Sequence, residues 1–364
     1  MIRRVPAQTF PPGHFLREEL ESRRWTQTDL AVILDRPVRL VNEIIMGKRA
    51  ITPETAHGLG TALGTEPDFW MNLETQWQLA RTTPDQNQVL RRTKIFGRFP
   101  IREMQKRGWI GAASSIDEIE SELKRYFGIA SLDDDIRIAH VAKKTSYDKV
   151  SMQQAVWLIR AQQLAETLDV PAYSSRTLPA LFSELRACVA RPADAAKAPQ
   201  ILGAHGIRLI LVAPLPSSKI DAACMWFKGQ PLLVLTLRYD KHDIFWHALF
   251  HELDHIEHEE GKADPIVDSD LLRDCSHGVR SEKRANQHAA SKLIPHEEME
   301  QFIARVKPFF SEASIRDFAE RMRVHPGIVV GQLQHQGLIP WSMFSGYKSH
   351  IREFIVPSAR ADGF

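Results

Sequence analysis

A chain of 364 residues, 43% hydrophobic and 25% charged, has the makeup of a globular protein with room for two or three domains, which excludes a disordered chain or a fibrous repeat. The basic N-terminus MIRRVPAQTFPPG has no apolar run behind it, and no window approaches the roughly 18 uninterrupted apolar residues of a membrane span, so a cytoplasmic protein with no membrane partner is expected. Cys188, Cys224 and Cys275 lie far apart with no CxxC, which suits a reducing compartment and excludes a disulfide framework or a cysteine-rich zinc site. The formal charge of +2 directs the whole molecule to no partner, although residues 89–109 hold seven Lys or Arg against the single acid Glu103.

Residues 1–80 read as a self-contained all-α domain. PPGHFLREELESRRW spaces Phe15, Leu16, Leu20 and Trp25 at helical intervals. In TQTDLAVIL, Thr26 is the expected N-cap and Asp29 stands where a capping box wants its acceptor. DRP breaks the pattern with Pro37 at a first helical position, and a third helix, VRLVNEIIM, ends at Gly47. Two short helices across a tight turn, the second followed by Lys48 and Arg49, predict a helix-turn-helix. Arg39, Asn42 and Glu43 are placed to reach base edges. Arg36, Lys48 and Arg49 would hold phosphates, and Gln27 would anchor the preceding helix to the backbone. A plain structural bundle remains the alternative. The run from PPGHFLREEL through VNEIIMGKRAITPETAHGLGTALGTEPDFWMNLETQW resembles the XRE-type helix-turn-helix of HigA antitoxins. That resemblance implies a homodimeric repressor on a palindromic double-stranded DNA operator. Trp70, Leu73 and Trp77 read as core or subunit-contact residues.

TTPDQN marks a break, and residues 81–199 read as a helical middle region. The basic stretch 89–109 could extend a DNA footprint, but a solvated face with Ile95, Phe96, Phe99, Ile101 and Trp109 packed inward is the preferred reading. Amphipathic helices follow in IDEIESELKRYFGI, SMQQAVWLIRAQQLAETL and TLPALFSELRACVA, without an internal repeat.

From residue 200 the pattern changes to short apolar runs, IRLILVAPL, AACMWF and PLLVLTL, read as strands of a small sheet in an α+β domain spanning 200–300. A buried helix follows, FWHALFHELDHIEHE, with Asp243 as its expected N-cap. His251 and His255 are four residues apart, so both rings leave one side of the helix at a separation that one Zn²⁺ can bridge. Glu252 between them is placed as the general base of a zinc peptidase. A catalytic zinc needs a third protein ligand. In VRSEKRANQHAASKLIP, Glu282 shares a face with Ala285, Ala289 and Leu293, and an acid among alanines on an inward face asks for a cation. Glu282 is the chosen ligand. His247, His258, Glu257, Glu259 and Asp264 are rivals, and the metzincin continuation is excluded because Gly and His are exchanged at 258 and 261.

PLLVLTLRYDKHDIFWHALFHELDH with EKRANQHAASKLIP resembles the ImmA/IrrE family of zinc metallo-endopeptidases, over roughly residues 200–345. The resemblance implies a zincin-like fold, His251, His255 and Glu282 as metal ligands, catalytic Glu252, and a C-terminal helical, helix-turn-helix-like subdomain at 301–364 whose helix pair turns at His325, Pro326 and Gly327. The family usually has Gly before the second histidine, where this chain has Asp254. His277, Tyr239 and Arg280 are candidate oxyanion partners. The expected protein is a DNA-binding regulator with a zinc endopeptidase directed at a protein substrate, a repressor or a paired toxin. The competing expectation is a HigA-like antitoxin and autorepressor whose zincin domain is structural or sensory.

Overall fold

The computed structural model describes residues 10–82, 86–132, 143–144, 151–269 and 280–364. The chain divides into two compact units, Met1–Arg92 and Thr93–Phe364.

The first unit contains α1 (Pro12–Arg23), α2 (Gln27–Ile33), α3 (Val38–Ile45), α4 (Pro53–Leu63) and α5 (Pro67–Arg81). Leu16, Leu20, Leu30, Val41, Ile44, Leu59 and Trp70 form its core. Gly13 is what lets α1 approach α3, because a Cβ there would lie 2.3 Å from the Ile44 carbonyl oxygen. The Thr26 capping box forms: the Thr26 hydroxyl accepts from the Asp29 N–H at 3.1 Å and the Asp29 carboxylate accepts from the Thr26 N–H at 2.7 Å. Pro37 occupies the N-cap of α3 rather than its first turn. The chain leaves α3 through Gly47, whose φ of +68° is one that side chains disfavour.

The second unit begins within α6 (Gln86–Arg98) and continues through α7 (Ile101–Lys106), α8 (Ile116–Phe127), β1 (Lys143–Lys144), α9 (Met152–Ala165), α10 (Leu178–Ala187) and α11 (Ala198–Ala204). Then come β2 (Arg208–Val212), β3 (Ile220–Phe227), β4 (Gln230–Leu235), α12 (His242–Glu257), β5 (Ile266–Ser269) and α13 (Arg280–Leu293). The chain ends with α14 (His296–Val306), α15 (Glu312–Met322), α16 (Pro326–His335), α17 (Arg352–Ile355) and β6 (Arg360–Asp362). The mixed sheet has the order β1-β5-β3-β4-β2-β6. The three apolar runs become strands buried on both faces, which is why they lack polar alternation. Ile210, Val212, Ala223, Met225 and Val234 face a core shared with residues from Ile95 to Ala165. Leu209, Leu211, Ala222, Cys224 and Leu233 face a second core, shared with α12 and residues out to Ile355.

The boundaries expected at 199 and 300 therefore do not separate compact units. The middle helices are one wall of the sheet: the Trp157 indole donates to the Val212 carbonyl at 3.1 Å, and Arg160 Nε donates to Asp362 at 2.7 Å. The 301–364 segment packs into the other core. Ile95, Phe99, Ile101 and Trp109 are buried as expected, whereas Phe96 is exposed, lying one position off the inward stripe of α6. Asp243 is the second residue of α12, behind Lys241 at the capping position, and pairs with Lys348.

His242, at the start of α12, is buried and its Nε2 accepts the Trp246 indole hydrogen at 3.0 Å. Burial, with His325 adding to it, lowers its pKa to about 3. An unfolded histidine titrates near about 6.5, so the stabilisation is complete above that pH and is lost as pH falls toward the folded value. Urea unfolding is expected to lose up to about 1.4 kcal/mol per pH unit below about 6.5 from this group, and His242→Gln to flatten the slope.

Candidate metal centre and nucleic-acid interface

In the first unit, Gln27, Arg36, Arg39, Asn42, Lys48 and Arg49 all fall on α2, α3 or the turns that follow them. Asn42 Nδ2 donates to Gln27 Oε1 at 3.1 Å, tying the start of α2 to the outer face of α3. Arg39, with 85% of its side chain exposed, donates from Nε to Glu43 at 2.8 Å, and Arg49 reaches the same carboxylate at 3.3 Å. Arg36 pairs with Glu54. Glu43 thus braces two cations rather than standing free to read a base. Lys48 is exposed just past α3. The result is an exposed face with an amide pair and cations around it, the side chains that reach base edges and phosphates.

In the second unit, α12 and α13 pack together and β5 approaches beneath them. Glu282, Ala285, Ala289 and Leu293 form the buried face of α13. His251, His255 and Glu282 come together, and Asp268 of β5 joins them; one ligand atom from each of the four lies within 4.8 Å of all the others. His251 Nε2 is 3.2 Å from Glu282 and 3.3 Å from Asp268. His255 Nε2 is 3.2 Å from His251 Nε2 and 3.6 Å from Glu282. All four side chains are buried. Sequence reasoning missed Asp268, and the only signal was an acid inside the apolar run PIVDSD.

Outer partners aim the rings. Glu260 Oε2 lies 2.7 Å from His255 Nδ1, and because a carboxylate only accepts, Nδ1 carries the hydrogen and the ring turns its Nε2 inward. Asn286 Oδ1 sits 3.0 Å from His251 Nδ1 and 3.2 Å from His247 Nε2. His247, the rival ligand, therefore belongs to the shell behind His251. Burial, with the neighbouring His251 charge, lowers its pKa to about 4.

The donor set fits a divalent cation. Two inward-facing ring nitrogens 3.2 Å apart need a proton or a cation between them. Both oxygens of Glu252 and of Asp268 are buried without a hydrogen-bond partner among the described residues. Burial, then the adjacent Asp268, pushes the Glu252 carboxyl well above its usual range. Burial and Asp268 likewise raise Glu282. Desolvation opposes charge on His251, but the Asp268 and Glu282 carboxylates beside it outweigh that and raise the imidazole to about 10. A cation in the middle would relieve each of these.

Asp254 points elsewhere. Its carboxylate is held by Arg284 Nε at 2.8 Å and lies 2.8 Å from His288 Nδ1. Arg284 also donates to Glu260 at 2.9 Å, so one guanidinium joins Asp254 to the acceptor behind His255. Tyr239 follows β4 beside a small pocket with Thr236 and Ala248, and Arg280 is exposed at the start of α13. His277 and Cys275 lie outside the described residues.

The chain thus combines a helix-turn-helix unit with a unit that brings two histidines and two carboxylates to one buried point. No protein-family model matches it. An uncharacterized HTH-type transcriptional regulator of Escherichia coli K12, YddM, is 30% identical over 69 residues, 19% of this chain and 73% of that protein. Through its N-terminal segment the chain belongs to the HTH-type transcriptional regulators. Among solved structures, the Pseudomonas aeruginosa antitoxin HigA with the higBA promoter is 33% identical, covering 20% of this chain and 82% of that one, with a TM-score of 0.20. A HigA-family antidote protein from Coxiella burnetii is 28% identical, covering 27% and 94%, also at 0.20. A Pseudomonas aeruginosa protein in complex with its operator DNA is 32% identical, covering 21% and 83%, again at 0.20. No helix among the described residues is long and apolar enough to cross a membrane.

Proposed function

We propose that this regulator binds an operator as a homodimer through α2 and α3, and that its second unit is a zincin-type, ImmA/IrrE-like zinc endopeptidase acting on a protein partner, a repressor or a paired toxin. The observation that carries the peptidase half is the convergence of His251, His255 and Glu282 beside the buried carboxyl of Glu252, which has no hydrogen-bond partner among the described residues. Zn²⁺ held by those three side chains would supply Lewis-acid polarisation of a peptide carbonyl. Glu252 takes a proton from water as the water oxygen bonds to the carbonyl carbon. It returns that proton to the nitrogen as the C–N bond breaks. Asn286 and Glu260 keep the two imidazoles oriented throughout.

A second reading has its own observation. Four donors converge rather than three, and all are buried, as in structural zinc sites. On this reading the chain is a HigA-like antitoxin and autorepressor whose metal centre holds the unit together without turnover.

Elemental analysis of the purified chain tests what both share: about one zinc per chain is expected, and its absence from a protein prepared without chelator removes both. For the DNA half, Arg39→Ala and Asn42→Ala are each expected to weaken binding to the DNA upstream of the protein's own gene by about 1–3 kcal/mol. Lys48→Ala is expected to reduce the slope of log affinity against log salt by about 1. Unchanged footprints for all three variants would remove α3 from the DNA.

A further inference from the structure

We propose that Asp268 is a fourth protein ligand, so that the folded centre is a closed site of two histidines and two carboxylates, and that hydrolysis requires Asp268 to withdraw. This rests on the zinc reading above and deepens it.

The argument is geometric. Zn²⁺ bonds of about 2.0–2.1 Å to nitrogen and oxygen, arranged tetrahedrally, put ligand atoms about 3.3 Å apart. His251 and His255 Nε2 lie 3.2 Å apart, and Glu282 faces them with one oxygen each, Oε2 at 3.2 Å from His251 and Oε1 at 3.6 Å from His255. Asp268 Oδ2 completes the figure at 3.3 Å from His251 Nε2 and 4.0 Å from His255 Nε2. An outer-shell acid would sit behind a ring, on its Nδ1, as Glu260 does. Asp268 instead faces both Nε2 atoms. Its position in the strand explains the aim: Val267, paired with Ala223, faces the core shared with α9, so Asp268, one residue on and paired with Ala222, faces the opposite side, where Ala222 packs with α12. Asp268 is also fully desolvated, and neither of its oxygens finds a hydrogen bond among the described residues.

A catalytic zinc site keeps one position for water or substrate, and here a side chain of the same chain takes that position. The four-ligand arrangement is thus the resting form of the centre. Release of Asp268 opens the coordination site and leaves Glu252 next to it.

The experiment uses the full-length chain loaded with Co²⁺, whose visible absorption reports coordination number, with acetohydroxamate as an added metal-binding probe. The wild-type spectrum is expected to be four-coordinate and unchanged by acetohydroxamate. Asp268→Ala is expected to respond to the probe and to lose more than about 100-fold in Zn²⁺ affinity by chelator competition, beyond the 10–100-fold of an outer-shell loss. Asp268→Asn, which keeps the shape without the charge, should fall between. A wild-type spectrum that shifts on adding acetohydroxamate overturns the proposal while leaving a zinc site. Wild type that takes up neither Co²⁺ nor Zn²⁺ removes the zinc reading itself. If Asp268→Ala does not fold by circular dichroism, the wild-type response to acetohydroxamate decides alone.

Discussion

Glu252→Gln is expected to leave the zinc content and DNA footprint unchanged while lowering cleavage of a protein partner by about 10²–10⁴-fold, the usual contribution of a general base. The substitution keeps size and shape at a fully buried position, so packing against α12's neighbours is preserved. It removes a carboxyl beside the donor cluster that can accept and return a proton. The measurement is a co-expression screen for fragments of candidate partners, comparing wild type with the variant by mass spectrometry. A fragment produced equally by both would take Glu252 out of the chemistry. A phenotype lost with Arg39→Ala yet untouched by Glu252→Gln would favour the antitoxin reading.

Removing the cation is the second large effect. A ligand present at about 1,000 times its dissociation constant stabilises the folded form by about 4 kcal/mol, and a large domain shifts by about 2–4 °C per kcal/mol. A strong chelator is therefore expected to lower the thermal midpoint of the second unit by about 10 °C, with the transition of the first unit unmoved. His255→Ala should start at the lowered midpoint and ignore the chelator, because it removes a donor. Without the cation, burial and the adjacent Asp268 push the buried Glu252 and Glu282 carboxyls up, a strain on the folded unit that the cation would relieve, which is why the loss should be steep. Scanning calorimetry with and without chelator measures it; one midpoint for all four samples would mean that no cation is held there.

Both helix-borne parts of the centre were legible because helical spacing is a local property. His251 and His255 four apart, and Glu282 in line with Ala285, Ala289 and Leu293, need only the 3.6-residue period to be placed on a face. The capping box at Thr26 was legible for the same reason. Asp268 was not, because the face it takes is set by its pairing with Ala222 of a strand distant in sequence, and only the fold puts α12 on that face, which no local pattern encodes. The grouping of residues 93–364 into one unit was hidden similarly. Trp157 and Arg160 look like an ordinary amphipathic helix until the partners at Val212 and Asp362 are known. Phe96 was misplaced because a short basic helix offers two adjacent aromatic or aliphatic positions, and only Ile95 lies on the packed side.

The guanidinium shared by Asp254 and Glu260 makes those two acids and Arg284 a single coupled block. Anyone grafting α12 onto another scaffold, or changing residue 254 to glycine alone, would leave the Arg284 guanidinium without one of its two carboxylates. The three positions have to be exchanged together, and the unit that sets the histidine pair is accordingly longer than the five residues from His251 to His255.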